Sequence, residues 1–410
     1  MQKAILLVLA AALTAAPLAQ ELQHEAVAVN VEVPVRVFKG DTFIDNLTLE
    51  DFEIYEDGKP QKIEAMYLIK KTGIKREEAD MDEEEARKKF LPQVSRNFVL
   101  LFELHEYFPN VGKAVEYFFT DVLQPEDTLM IITPSKTYKF NNIAWDMFTR
   151  KEIAEDFKEK LRKNIKISSA VYRSLVKDLE NIMMFYQTSK EQLAHGDDTV
   201  NMVRMMYSNI LTKLRNLRHI DEKKLLDFAN LLKEMEGQKY VFFFHQKLIV
   251  PLLKFSQDYQ IEDLEDFEAF LSFDVEKAKM AFSDSSISPH FIFFTKTSRL
   301  DVDNRDEIFV TSTNLLDTRA IDTGTHIEMQ DLSGSFYDSF KEIVQAAGGT
   351  VDSSANAASS LKKAVYASEN YYLLYYAPED YKADGKFREI KVKVKNRNYR
   401  ISHRAGYIAD

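Results

Sequence analysis

Asn97 to Phe102 reads NFVLLF, a run that carries no polar residue after its first asparagine. A strand wetted on one face alternates apolar and polar residues, so an unbroken run of this length fits a strand covered on both faces, as in a parallel sheet. Working outward, Val111 to Leu123 has helical spacing through Val111, Val115, Phe118, Phe119 and Val122, and Thr128 to Thr133 (TLMIIT) is a second such run. Tyr240 to Phe244 (YVFFF) and Phe291 to Thr295 (FIFFT) repeat the pattern, with helical patterns over 146 to 236 and 262 to 282 between them. Strands separated by helices predict an α/β class: an open, mostly parallel, Rossmann-like sheet with helices on both faces and a helical insertion at about 146–236.

The flanks read differently. Val27, Val29, Val31, Val33, Val35 and Val37 alternate with other residues at the period of a half-buried strand, and Pro34 marks an edge or a bulge. Asp57-Gly58 lies between Asp51–Ile54 and Gln61–Ile69, and Asp-Gly tolerates the positive φ of a type I′ hairpin. At the other end Tyr371 to Tyr376, Arg388 to Lys395 and Tyr399 to Ile408 predict three more strands. Alternation puts Tyr371, Leu373 and Tyr375 on one face of the first, and Tyr372, Leu374 and Tyr376 on the other. Small sets of strands are marginal alone, which favours a β-sandwich-like domain built from both chain ends. The expected organisation is a signal peptide at 1–20, an N-terminal β segment at 21–72 and a charged linker at 73–95. The α/β domain follows at 96–368, and a C-terminal β segment at 369–410 packs with the N-terminal one.

Composition bounds the function. The 410 residues, 45% of them apolar and 29% charged, describe an ordinary globular chain with room for more than one core. A net charge of −11 opposes a broad footprint for nucleic acid or anionic lipid. Lys3, the apolar run Ala4 to Ala16 and the small residues Ala15, Ala16 and Ala19 are the parts of a cleavable export signal. No later stretch is long and apolar enough to span a bilayer, so the expected address is periplasmic or extracellular, with no stable membrane insertion after cleavage. The absence of cysteine excludes disulfides, thiolate metal sites and a cysteine nucleophile.

Leu49 to Ile63 (LEDFEIYEDGKPQKI), Tyr371 to Val394 (YYLLYYAPEDYKADGKFREIKVKV) and Arg404 to Tyr407 (RAGY) resemble the bacterial VWFA-related secreted proteins, in which β segments flank a von Willebrand factor type A-like domain. The resemblance implies an export route and a binding or assembly role. It also implies a metal-ion-dependent adhesion site beyond the first strand, where Asp-x-Ser-x-Ser and a later Asp supply hard oxygen ligands. This chain departs from that set. Glu103, His105 and Tyr107 follow NFVLLF, and His245-Gln246 stands where the later Asp is usual. The adhesion site is therefore read as degenerate, with no resident divalent cation or other cofactor.

Asp331, Ser333 and Ser335 spell Asp-x-Ser-x-Ser, but they precede a helix at Phe336 to Ala347, where they are expected as caps rather than metal ligands. Glu103, His105, Glu106 and His245 would meet if two central strands end side by side, and His with carboxylate can hold zinc or move protons. Asp301, Asp303, Asn304, Asp306 and Glu307 lack the glycine of a calcium loop, and the acidic run from Glu77 to Glu85 reads as a solvated boundary. His195, His219, His290 and His403 share no ligand spacing, and GxSxG, Walker A and GxGxxG motifs are absent. The expected function is an exported, non-enzymatic module that binds a protein partner without metal. The alternatives are a secreted metal-dependent hydrolase using the Glu/His cluster and a self-associating envelope structural protein.

Overall fold

The structure, a computed structural model, describes residues 29–79, 89–90, 92–140, 147–188, 197–217, 221–247, 249–254, 273–294, 326–331, 334–354 and 356–410. The expected signal peptide, most of the acidic run and the Asp301 to Glu307 cluster lie outside these residues, as do His195 and His219.

The chain opens with β1 (Val31–Lys39), β2 (Thr42–Phe43), β3 (Phe52–Glu56), β4 (Lys59–Gln61), β5 (Ile63–Lys70) and β6 (Gly73–Ala79). Asp57 and Gly58 join β3 to β4 with φ of 47° and 79°, the two positive values a type I′ turn requires. The stretch expected as a linker from residue 73 thus starts as a strand, β6, in a hairpin with β5. Next come β7 (Arg96–Glu103), α1 (Pro109–Tyr117), β8 (Thr128–Ile132) and β9 (Thr137–Phe140). The helical region holds α2 (Arg150–Ser168), α3 (Ala170–Thr188), α4 (Asp197–Asn216) and α5 (Glu222–Lys233). Thereafter follow β10 (Gln238–Gln246), β11 (Ile249–Lys254), α6 (Val275–Asp284), β12 (Ile287–Phe294), β13 (His326–Asp331), α7 (Gly334–Ala346), β14 (Thr350–Ser353) and α8 (Ala357–Glu369). The chain closes with β15 (Asn370–Tyr376), β16 (Phe387–Val394), β17 (Arg400–His403) and β18 (Gly406–Ile408).

The expected class is corrected by the pairing. Most ladders are antiparallel: β1 with β15, β17 and β2, β5 with β15 and β6, β3 with β16 and β4, β16 with β18, and β11 with β13. Parallel ladders occur in one sheet, of order β14-β12-β10-β7-β8-β9, and that sheet is mixed because β9 returns antiparallel on β8. The chain is therefore not an α/β protein defined by an open, mostly parallel Rossmann-like sheet with a sandwich-like appendage. It is a mixed, mostly antiparallel assembly in which the antiparallel sheets β17-β1-β15-β5-β6 and β18-β16-β3-β4 are a principal part. The apolar runs of β7, β8, β10 and β12 do pair with one another in parallel, but their local pattern carries no sign of the antiparallel β9 or of how large a share of the pairing the flanking strands make. β11 and β13 pair antiparallel in a separate two-stranded ribbon.

Side-chain alternation distributes the strands between cores. Tyr240, Phe242 and Phe244 of β10 join Val111, Val115, Phe157, Leu361 and Val365, so α1, α2 and α8 cover that face. Val241 joins Phe291 and Phe293 against Leu232, Phe282, Phe340 and Ile343 of α5, α6 and α7 on the other. In β15, Tyr372, Leu374 and Tyr376 enter a core shared with Ile54, Ile390 and Val392, while Tyr371, Leu373 and Tyr375 pack with Tyr67 and Phe90. Each fully buried Phe or Leu contributes about 1.5–3 kcal/mol, so these cores hold the sheets together without cross-links.

β1 is an interior strand, not the edge that Pro34 suggested. It pairs with β15 from Val31 to Val35, and with β17 only from Val35 onward, so Pro34 sits before that second ladder starts. A missing N–H is tolerated where one flank lacks a partner strand.

Candidate functional site

β7 and β10 run side by side in parallel register, with Glu103 opposite His245, so their C-terminal ends do bring two of the expected residues together. His245 Nδ1 lies 2.8 Å from Glu103 Oε2. The imidazole is fully buried, stacked at 4.1 Å on Phe336 and at 5.2 Å on Phe293, whereas the Glu103 side chain is 30% exposed. A ring enclosed by two phenyl faces with one nitrogen on a carboxylate is held in orientation, as a structural histidine is.

The loop after β7 goes elsewhere with its side chains. Gln246 Oε1 accepts from the backbone N–H of His105 (2.8 Å) and of Glu106 (3.0 Å), fastening that loop to the end of β10. The His105 ring stacks on Tyr172 of α3 at 4.3 Å. Tyr107 turns toward the helices, with the Arg162 guanidinium 5.7 Å from its ring centre, and burial pushes its phenol up against the opposing pull of Lys158 and Arg162. Among the described residues no three His, Asp or Glu side chains form a group able to hold a metal ion. Of the Asp331, Ser333 and Ser335 motif, Asp331 ends β13 and Ser335 lies in the first turn of α7, while Ser333 lies outside the described residues. No described helix is long and apolar enough to cross a membrane.

Two features were missed by the sequence reading. One is the outer side of the helical region. Val203, Tyr207, Ile210, Leu211 and Leu214 give α4 a buried stripe, yet Met202, Met205 and Met206 form a second apolar stripe that faces solvent, with Met205 68% exposed. Ile167 and Val171, on either side of the α2–α3 junction, are also more than half exposed. The signal was available in the run NMVRMMYSNIL, whose apolar residues exceed what one buried face uses.

The other is a polar seam between β1 and β17 on one side and β12 and α7 on the other. Arg36 donates from Nε to Ala367 O (2.8 Å), from Nη1 to Gly348 O (2.9 Å) and from Nη2 to Ser288 Oγ (2.9 Å). Arg404 donates from Nη1 to Ser286 Oγ and from Nη2 to Glu32 O, each at 2.6 Å. Both arginines are buried, and burial lowers the pKa of each. Two of the histidines without ligand spacing lie nearby. His290 is buried with Nδ1 at 2.8 Å from Thr350 Oγ1, and His403 Nε2 accepts from the Val392 N–H while Nδ1 donates to Arg404 O.

These two rings make a pH prediction. Burial, then the Arg36 charge, holds His290 well below the ordinary imidazole range, and burial lowers His403. Both are depressed on folding, whereas unfolded imidazoles protonate at about pH 6.5. Their contribution is therefore complete above about pH 6.5 and is lost as pH falls toward the folded values. The melting temperature should be level from about pH 8 to 6.5 and decline steadily toward about pH 5, ahead of carboxylate titration. A level profile over the whole range would mean that neither ring is held neutral.

Comparison of the chain with protein-family models, curated proteins and solved structures finds no match, for the von Willebrand-related family or any other.

Proposed function

We propose that this chain is an exported, non-enzymatic protein-interaction module whose partner docks on the helical region through metal-independent contacts. The observation that carries the reading is the second apolar stripe of α4. A helix that has already buried one stripe gains nothing from exposing Met202, Met205 and Met206, and clustered exposed apolar side chains mark contact surfaces. Methionine suits that role because its unbranched, polarisable side chain repacks against differently shaped partners. The hydrolase alternative draws less support, since the His245 ring is enclosed between Phe336 and Phe293 and its Nδ1 is taken by Glu103.

The test places a photo-crosslinking amino acid at Met205 in the intact chain, in the cells that make it, with Lys391 on the exposed face of β16 as control. One discrete adduct at Met205, absent at Lys391 and lost when Met202→Glu and Met206→Glu are added, is the expected result. An adduct of twice the chain's own mass would establish the self-associating alternative instead. Adducts of equal pattern at both positions, or none, would overturn the reading.

A further inference from the structure

The polar seam borders a small, half-open pocket of about 10 Å³, on the scale of one water or one monatomic ion, whose lining includes Arg36, Ser286, Ile287, Ser288, Ala347 and Arg404. Its lining is unusual in charge. Arg36 and Arg404 are buried, and among the described residues neither forms an ion pair with a carboxylate: their five hydrogen bonds end on carbonyl and hydroxyl oxygens. Arginine does not give up its proton, so two positive charges stay where burial makes charge costly, with the Glu32 and Asp284 carboxylates offsetting Arg404 from beyond ion-pair distance.

The donors around the pocket are in excess. Ser286 Oγ and Ser288 Oγ each use a lone pair to accept from a guanidinium, which leaves each hydroxyl proton to be donated. Arg404 Nε is buried and has no hydrogen-bond partner. Ser286 also holds φ at 51°, a left-handed value that strains a non-glycine residue, while its hydroxyl accepts from Arg404. Three N–H and O–H donors beside two fixed cations call for a ligand that only accepts. Water would bring two protons of its own to be satisfied, and sulfate or phosphate exceeds the space.

We infer that Arg36, Arg404, Ser286 and Ser288 form a site for a monatomic halide ion, chloride-like in size, at the seam that joins β1 and β17 to β12. The ion neutralises part of the paired charge and accepts from Arg404 Nε and the two hydroxyls. Because the halide binds the folded chain alone, it stabilises by mass action.

The experiment measures melting of the full mature chain in sodium chloride, sodium bromide and sodium gluconate at equal ionic strength and pH. Halide should raise the melting temperature over gluconate by about 2 °C for each tenfold rise above its dissociation constant. The Ser286→Ala, Ser288→Ala double variant, which keeps both charges, should lose most of that increment. Crystals grown in bromide should show an anomalous peak between the two guanidinium groups. Equal melting in halide and gluconate, or crystals without the peak, would overturn the inference and leave a water in the pocket. Should the variant not fold, the wild-type salt series and the anomalous peak decide the matter alone.

Discussion

Replacing Arg96 with methionine is expected to destabilise the chain by about 3–5 kcal/mol, because it strands a buried carboxylate rather than simply removing a contact. Arg96 opens β7 and binds Asp127 in a two-pronged fashion, Nε to Oδ1 at 2.9 Å and Nη2 to Oδ2 at 2.6 Å. Nη1 reaches Glu369 Oε1 at the end of α8 (3.1 Å), Nη2 also bonds Val122 O, and the guanidinium lies over Phe98. Both the Arg96 and Asp127 side chains are 2% exposed. Burial alone would lower the arginine, but Asp127 and Glu369 outweigh it and hold it above its ordinary value, while burial pushes the Glu369 carboxyl up. Methionine fills similar space over Phe98, so a large loss isolates the charge. Urea unfolding of Arg96→Met against wild type checks this. Adding Asp127→Leu should recover part of the loss, since an apolar replacement of the whole pair is tolerated better than half of it. A single-variant loss under about 1 kcal/mol would place the pair in effective contact with water.

Gly349→Ala is the second large effect, expected to cost more than about 3 kcal/mol, beyond the usual range for one added methyl group in a core. A Cβ built on Gly349 would stand 1.7 Å from the backbone oxygen of Pro289 in β12, and no side-chain rotation relieves a clash with backbone. The same residue closes α7, its N–H donating to Val344 O at 2.8 Å after Gly348 has turned at a φ of 75°. Gly348 O is where Arg36 and Ser402 bond, so displacing this corner disturbs the seam between the sheets. Gly385 supplies the contrast: its φ is 68° but nothing lies within 4 Å of its added Cβ, so Gly385→Ala should cost only the conformational term of about 1–2 kcal/mol. Thermal melting of the two variants side by side checks the ranking, and equal losses would mean that the corner yields.

The candidate site was partly legible. Glu103 and His245 each follow an apolar run, NFVLLF and YVFFF, so the sequence offers them as strand-end residues, and the parallel pairing of β7 with β10 brings them together. The sequence does not say what else arrives. Phe336 and Phe293 come from other elements to enclose the imidazole, and His105 and Tyr107 are carried to α3 and α2. Those contacts depend on where helices land, which local periodicity does not encode. Arg36 was hidden for a different reason. In VPVRVF it occupies the face opposite Val35 and Val37, which reads as solvent, yet that face is covered by α7 and β12.

By itself the sequence determined the positions and burial of most strands, the positive-φ turn at Asp57-Gly58, the glycine stop after α7 and the two faces of β15. These follow from local chemistry: side-chain period, backbone freedom and the covalent alternation of a strand. Only the tertiary structure decided which strands pair and in which direction, that β1 is interior with both faces covered, and that Arg36 and Arg404 both reach across one seam to Ser288 and Ser286. Pairing direction and partner choice are set by loop closure and by the summed burial of distant residues, and neither leaves a mark within a short window of sequence.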